Sequence, residues 1–493
     1  MKQTLVSSSH SFKDLLLSLQ PYLRKKRIRY SCVILSVILL IAAVLSFVQT
    51  APSDILPYLQ NVEVLSHQGK LYVLIDDTAL DYVIHAEKCH KFCASLDGRI
   101  AAFLTDTKEL YLVQGNRIKK IADDVHHFEI SSSGSGIAFA QKYAQQYALT
   151  LYDLKEDTRK EITAQLSNLD FSLSPDGQNI AYYSQIDGQD VLMYRSKGEE
   201  QILCREKSDL VGLSNDGKQI YLICPKNDSS NMLYAFNHRG KATKLGLITS
   251  MSCKFNADHQ QIMFYNNGKT MVSVNGKPAT MASNHPLYLV TAPNSRSASD
   301  GNSITLPVSS LFDHVYTCSD GESTSAWLIR KDPQKSKKMI SRVSGCTLDA
   351  SGKYLYYIHN LSQLCVMDVT DGNPRSRILT DNVDTYAVRS NRSKVYFTHE
   401  GKLYCANGKK SSTPKLIATD AASYNLAMSR SDVLFYLSGS DLYSIKNGNS
   451  GTLVAHNIQS FYSSSNGVVY IIGDGNISTA YNKKQPAQII VSN

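Results

Sequence analysis

Phe171-Ser-Leu-Ser-Pro-Asp-Gly177-Gln-Asn-Ile-Ala-Tyr-Tyr183 decides how the rest of the chain is read. Phe171 and Leu173 alternate with Ser172 and Ser174, the pattern of a strand with one buried face. Asp176-Gly177 then supplies the positive-φ position that a tight hairpin needs. Ile180-Ala-Tyr-Tyr183 reads as the returning strand, and Asp190-Val-Leu-Met-Tyr194 as one more.

The same unit recurs along the chain. Val211-Gly-Leu-Ser-Asn-Asp-Gly217 leads into Ile220-Tyr-Leu-Ile223, and Cys346-Thr-Leu-Asp-Ala-Ser-Gly352 into Tyr354-Leu-Tyr-Tyr357. Further copies centre on Phe128, on Cys253 and, more loosely, on Val395, Val433 and Val468. The first strand residue after each turn falls at 100, 137, 180, 220 and 262, then at 355, 395, 433 and 468. A period of about 40 residues with several strands per copy predicts propeller blades, whose apolar faces are covered only by stacking on one another.

Ser174-Pro-Asp-Gly-Gln-Asn-Ile-Ala-Tyr-Tyr183 resembles the repeat core of TolB-type, WD40-like β-propellers. Val395-Tyr-Phe397 with Gly401-Lys-Leu-Tyr404 is similar to the looser repeats of membrane-anchored propeller proteins. The resemblance implies an all-β propeller over most of residues 57–493 and brings no catalytic residues with it. Ten or eleven units exceed the usual 4–8 blades of one ring, so one large ring and two adjoining propellers both remain open. The rhythm breaks over about 284–343, which is either a divergent blade with an insertion or a junction dividing 56–283 from 284–493.

Ahead of the repeats lies an uncharged stretch from Tyr30 to Ser53, apolar through Cys32–Val48. About 20 apolar residues cross a bilayer core as a helix, and here Arg24-Lys-Lys-Arg-Ile-Arg29 precedes them. The run is longer than the apolar region of a signal peptide and lacks a small-x-small cleavage site. The expected organisation is a basic cytoplasmic tail (1–29), a single signal-anchor helix (30–50) and an extracytoplasmic body (56–493) at the plasma membrane.

Charge supports that division. Residues 1–29 hold seven Lys/Arg against one acid, leaving 45 bases and 42 acids for the remainder. A nearly neutral body disfavours nucleic acid as a partner. Nine of the ten cysteines lie beyond the span; Cys253 and Cys346 occupy the slot of Phe128 and Phe171 and read, with Cys365 and Cys405, as small buried hydrophobes.

Site chemistry is sparse. His85, Cys89, His90 and Cys93 are the one cluster with metal-ligand residue types, but no second pair follows at zinc-site spacing. Nucleophile-elbow, zincin, Walker A and dinucleotide motifs are missing, and no cofactor is implied. Asp176, Asp216 and Asp258 recur with the repeat, as turn-formers do. The expected function is a membrane-anchored, non-enzymatic binding or scaffolding module for an envelope protein or polymer. The alternative is a glycoside hydrolase or lyase whose carboxylates converge near a propeller axis.

Overall fold

The computed structural model describes residues 62–491, except 68, 76–77, 97, 206–207, 228–229, 250–252, 291–295, 298–302, 305–309, 320–322, 331–335, 350, 371–373, 422–425, 429–431, 447–449, 464–466, 473–476 and 482–487. The tail 1–29 and the expected span 30–50 lie outside the described residues.

Every element among the described residues is a strand. Sheet 1 has three, Val62–His67, Lys70–Ile75 and Thr78–Ile84. Sheet 2 has four, Cys89–Ala94, Ile100–Thr105, Leu110–Gln114 and Arg117–Ala122, paired antiparallel in chain order. Nine more four-stranded units follow in the same meander, which is the propeller blade. Sheets 3 and 4 share the 16-residue strand Thr158–Leu173, fourth in one and first in the other, with a register break between Leu166 and Phe171. The third and fourth strands are bulged at the same place in successive sheets: between Leu110 and Tyr111, Leu192 and Met193, Leu364 and Cys365, and Leu403 and Tyr404. A bulge there adds local twist to the outer strand.

The core lies between sheets. Phe103, on sheet 2, packs with Val73 and Ile84 of sheet 1, while its neighbours Ala102 and Leu104 pack with Phe128 and Phe139 of sheet 3. The same two-faced arrangement continues through Tyr182 and Leu149, Ile220 and Tyr183, and Phe264 and Tyr221. Counting in chain order, with sheet 8 starting at Val343 and ending at Thr380, it reaches Tyr396 with Tyr436 between sheet 9, from Thr385 to Ala418, and sheet 10, from Leu426 to Ala455. Period-2 alternation therefore supplies both neighbours from one strand.

Sheet 7 accounts for the break in rhythm. Its strands are Tyr288–Leu289, His314–Ser319, Thr324–Ile329 and Lys337–Ser341. The long first connection carries a two-stranded ribbon, Arg296–Ser297 with Ser303–Ile304. This segment is a blade with an insertion, and one apolar cluster runs from Met263 through Leu287 to Ile329.

The predicted turn residues act as turn-formers. Ser174 Oγ donates to Asp176 Oδ1 at 2.5 Å and accepts from Asn179 N–H, while Gln178 N–H donates to Asp176. Ser214 and Asp216 repeat those bonds, as do Asn256 and Asp258 toward Gln261 and Gln260. Neighbouring turns are also joined: Leu96 N–H donates to Ser132 O, Ser133 N–H to Pro175 O, and Asn215 N–H to Asp258 O.

Tyrosine is the other link. Tyr183 donates to Ser208 O, Tyr194 to Gly217 O, Tyr221 to His259 O and Tyr356 to Gly408 O, each reaching the next sheet. A buried phenol needs such a partner, and the ring fills the interface on the way. The abundance of tyrosine, 29 against one tryptophan, reflects this repeated stitch.

Gly134 and Gly188 separate two costs. Both have positive φ, but a Cβ on Gly134 would sit 3.0 Å from Ile100 Cγ1 of sheet 2, whereas Gly188 faces open space. Gly188→Ala should cost about 1 kcal/mol, and Gly134→Ala about 1–2 kcal/mol more. Pulse proteolysis of the full chain across a urea series measures both; equal losses would show that the turn is not pressed against its neighbour.

Candidate functional site

The first strands of sheets 2 to 5 carry a row of polar side chains: Lys91, His127 and Glu129, Asp170, and Asp209. Aligning the repeats on the turn residues Ser95, Ser131 and Ser174 puts Lys91, His127 and Asp170 in one slot, just before Phe92, Phe128 and Phe171. The apolar residue anchors the strand between sheets and so fixes the height of its polar neighbour.

Lys91 Nζ donates to Phe128 O at 2.7 Å, lies 3.3 Å from His127 Nε2 and sits 5.2 Å from the centre of the Phe128 ring. The His127 ring meets Phe171 edge-on at 5.1 Å. Burial, then the Lys91 charge, holds His127 down at about 4, so it is neutral at pH 7. Glu129 Oε2 accepts the Leu173 N–H at 2.8 Å, joining the first strands of sheets 3 and 4. Burial pushes Glu129 up to about 7; the Leu173 N–H and Lys91 oppose the shift, and Asp170 adds to it. Asp170 is itself raised, by desolvation and then by Asp209.

Chemically, Glu129 exchanges its proton near neutrality beside a fixed cation and a neutral imidazole. Its clearest structural role is the latch to Leu173. Among the described residues no three His, Cys, Asp or Glu side chains are gathered as a metal site. Two concavities lie elsewhere. One, of about 590 Å³, is lined by Ser319, Thr324, Arg342, Val343, Asn360 and Leu361. The other, of about 430 Å³, includes Tyr194, Glu199, Asp216, Lys218 and His238.

The structure splits the four metal-type residues. His85 and His90 are exposed, Cys89 is buried and Cys93 half-buried. In a regular strand Cys89 and Cys93 would share a face, but a bulge between Cys89 and Lys91 reverses one of them. Cys89 packs into the cluster with sheet 1 and Cys93 into that with sheet 3. Burial lifts the Cys93 thiol to about 11, with Lys91 opposing and Glu129 reinforcing, so it stays protonated at pH 7. Cys365 and Cys405 are buried in apolar clusters, as expected, whereas Cys253 and Cys346 are only half-buried at the edges of theirs.

No family model matches the chain, and no curated protein matches it. Among solved structures it is similar to a putative TolB from Agrobacterium tumefaciens, with 15% identity over 50% of this chain and 97% of that one and a TM-score of 0.31. TolB from Acinetobacter baumannii shows 14% identity over 65% and 79%, with a TM-score of 0.30. A eukaryotic initiation factor shows 9% identity over 73% and 97%, with a TM-score of 0.41. At these identities and scores the blade assignment rests on strand order and register alone.

Glu129 and His127 give opposite pH signatures. Glu129 is raised from 4.5 to about 7, so its contribution to stability is present below about pH 4.5 and lost as pH rises through 7. His127 is lowered from 6.5 to about 4, so its contribution is present above 6.5 and lost as pH falls through 4. Glu129→Gln keeps the acceptor for Leu173 and removes the titration. Its stability relative to the unmodified protein should rise by about 1–3 kcal/mol between pH 4.5 and 7. Urea midpoints measured across that range check the sign; a difference independent of pH would contradict the assigned environment.

Proposed function

We propose that the chain is a single-pass plasma-membrane protein, anchored by residues 30–50 with its amino terminus inside. Its propeller body, 56–493, acts outside the membrane as a binding or scaffolding module for an envelope protein or polymer. The observation that carries this reading is that Glu129, the most perturbed carboxyl of the polar row, is engaged as a structural latch to Leu173 N–H, and that Glu129, Asp170 and Asp209 line neither of the two concavities described above. Whether the blades close as one ring or as two, divided near residue 284, belongs to the same proposal.

The neutral-range Glu129, in a row with Asp170 and Asp209, is the specific observation on the side of a hydrolase or lyase. Partner capture by crosslinking in intact membranes, run beside a polysaccharide-turnover screen, tests the two together. Protease added to intact cells should digest the body and spare the tail. Reproducible capture without turnover is the expected result. Turnover that Glu129→Gln abolishes in a folded protein would overturn it.

A further inference from the structure

Sheet 1 differs from the others by one strand. Sheets 2 to 11 have four strands each, whereas the described residues give sheet 1 three, in the order Val62–His67, Lys70–Ile75 and Thr78–Ile84. The place without a strand is the first. Second strands begin at Ile100, Gly136 and Asn179 in sheets 2 to 4, and Val62 precedes Ile100 by 38 residues, one repeat. Val62 and Val64 also pack with Ala101 and Phe103 of the second strand of sheet 2, as one second strand does against the next. Among the described residues, the edge of Val62–His67 turned away from Lys70–Ile75 pairs with no strand. Backbone N–H and C=O groups along a strand whose side chains are buried require partners.

First strands elsewhere meet second strands in one register. Ala94 pairs with Ala101, Ile130 with Ile137 and Leu173 with Ile180, each seven residues apart, and sheets 5, 6, 8 and 9 repeat that spacing. Ala101 faces the preceding sheet and Ala102 the following one. Val64, which lies two residues into its strand as Ala102 does in Ile100–Thr105, packs toward sheet 2. Glu63 therefore holds the place of Ala101, and the spacing of seven sets Leu56 opposite it and Ile55 opposite Val64. Residues 57–61 then match the five-residue connection 95–99 of sheet 2.

We propose that Asp54-Ile55-Leu56, outside the described residues, docks along this edge as the first strand of sheet 1, antiparallel to Val62–His67. The occupant is the chain's own segment because it is tethered to the edge by five residues, an effective concentration that a separate chain does not match. Leu56 also supplies the apolar residue that Ala94, Ile130 and Leu173 supply at the same slot. On the anchored reading, Ala51, Pro52 and Ser53 are then the whole connection between the span 30–50 and the first sheet.

Cysteine pairing in the full-length protein in lipid nanodiscs tests the register. Leu56→Cys/Glu63→Cys should oxidise to a disulfide, because directly opposed residues have Cβ atoms about 5 Å apart. Leu56→Cys/Val64→Cys is one residue out of register, puts the two thiols on opposite faces and should stay reduced. Chymotryptic mass mapping separates the new link from any formed by the nine native cysteines beyond the span. In the unmodified protein, hydrogen exchange over residues 54–56 should be about tenfold slower than in an unstructured peptide. Equal linkage in both variants, linkage in neither, or unprotected exchange at 54–56 would each overturn the proposal. Every readout lies within the body, so such a failure would leave the proposed anchor and binding role standing.

Discussion

A four-stranded antiparallel sheet with two apolar faces cannot exist alone in water, and the whole body follows from that constraint. Sheets 2 to 4 have buried apolar side chains on both sides of their middle strands, so both sides must be covered. Sheet 2 shows the consequence within three residues: Ala102 and Leu104 face one neighbour and Phe103 the other. The turn bonds from Ser133 to Pro175 and from Asn215 to Asp258 then set how one sheet sits on the next. Sequence, register and stacking thus form a single causal chain.

That chain also places the polar groups. A strand wedged between two sheets has a fixed height, so residues beside its apolar anchor recur at a fixed level. Lys91, His127 and Asp170 share such a slot, and Glu129 turns the juxtaposition into a bond by accepting from Leu173 N–H. The cost is a carboxylate whose charge is disfavoured, which pushes its titration to neutrality. The turns at the strand ends carry no such restriction, and there charge varies freely, from Asp153 and Glu156 in sheet 3 to Lys409 and Lys410 in sheet 9.

The blade repeat was legible in the sequence because Ser-Pro-Asp-Gly encodes a local event, a turn that its own side chains hold together. The cluster-facing slots of Cys253 and Cys346 were legible for the same reason, being set by distance from that turn, although both thiols are only half-buried. What escaped depended on contacts between sheets. The tyrosine stitches were visible only as an excess of tyrosine, since Ser208, Gly217 and His259 accept through their backbones and leave no side-chain signature. The bulge that sends Cys89 and Cys93 to opposite faces also breaks period-2 counting, and spacing alone suggested a cluster there. The polar row needed the repeats aligned on Ser95, Ser131 and Ser174, an internal comparison that the sequence permits.

Nearest-neighbour stacking is the central claim, and hydrogen exchange by mass spectrometry after Phe139→Ala tests it most directly. Phe139 is fully buried in the cluster joining sheets 2 and 3. The stacking account predicts lost protection in those two sheets, a smaller loss in sheets 1 and 4, and native protection in sheets 8 to 10. Protection lost uniformly across all sheets, or confined to sheet 3, would contradict it.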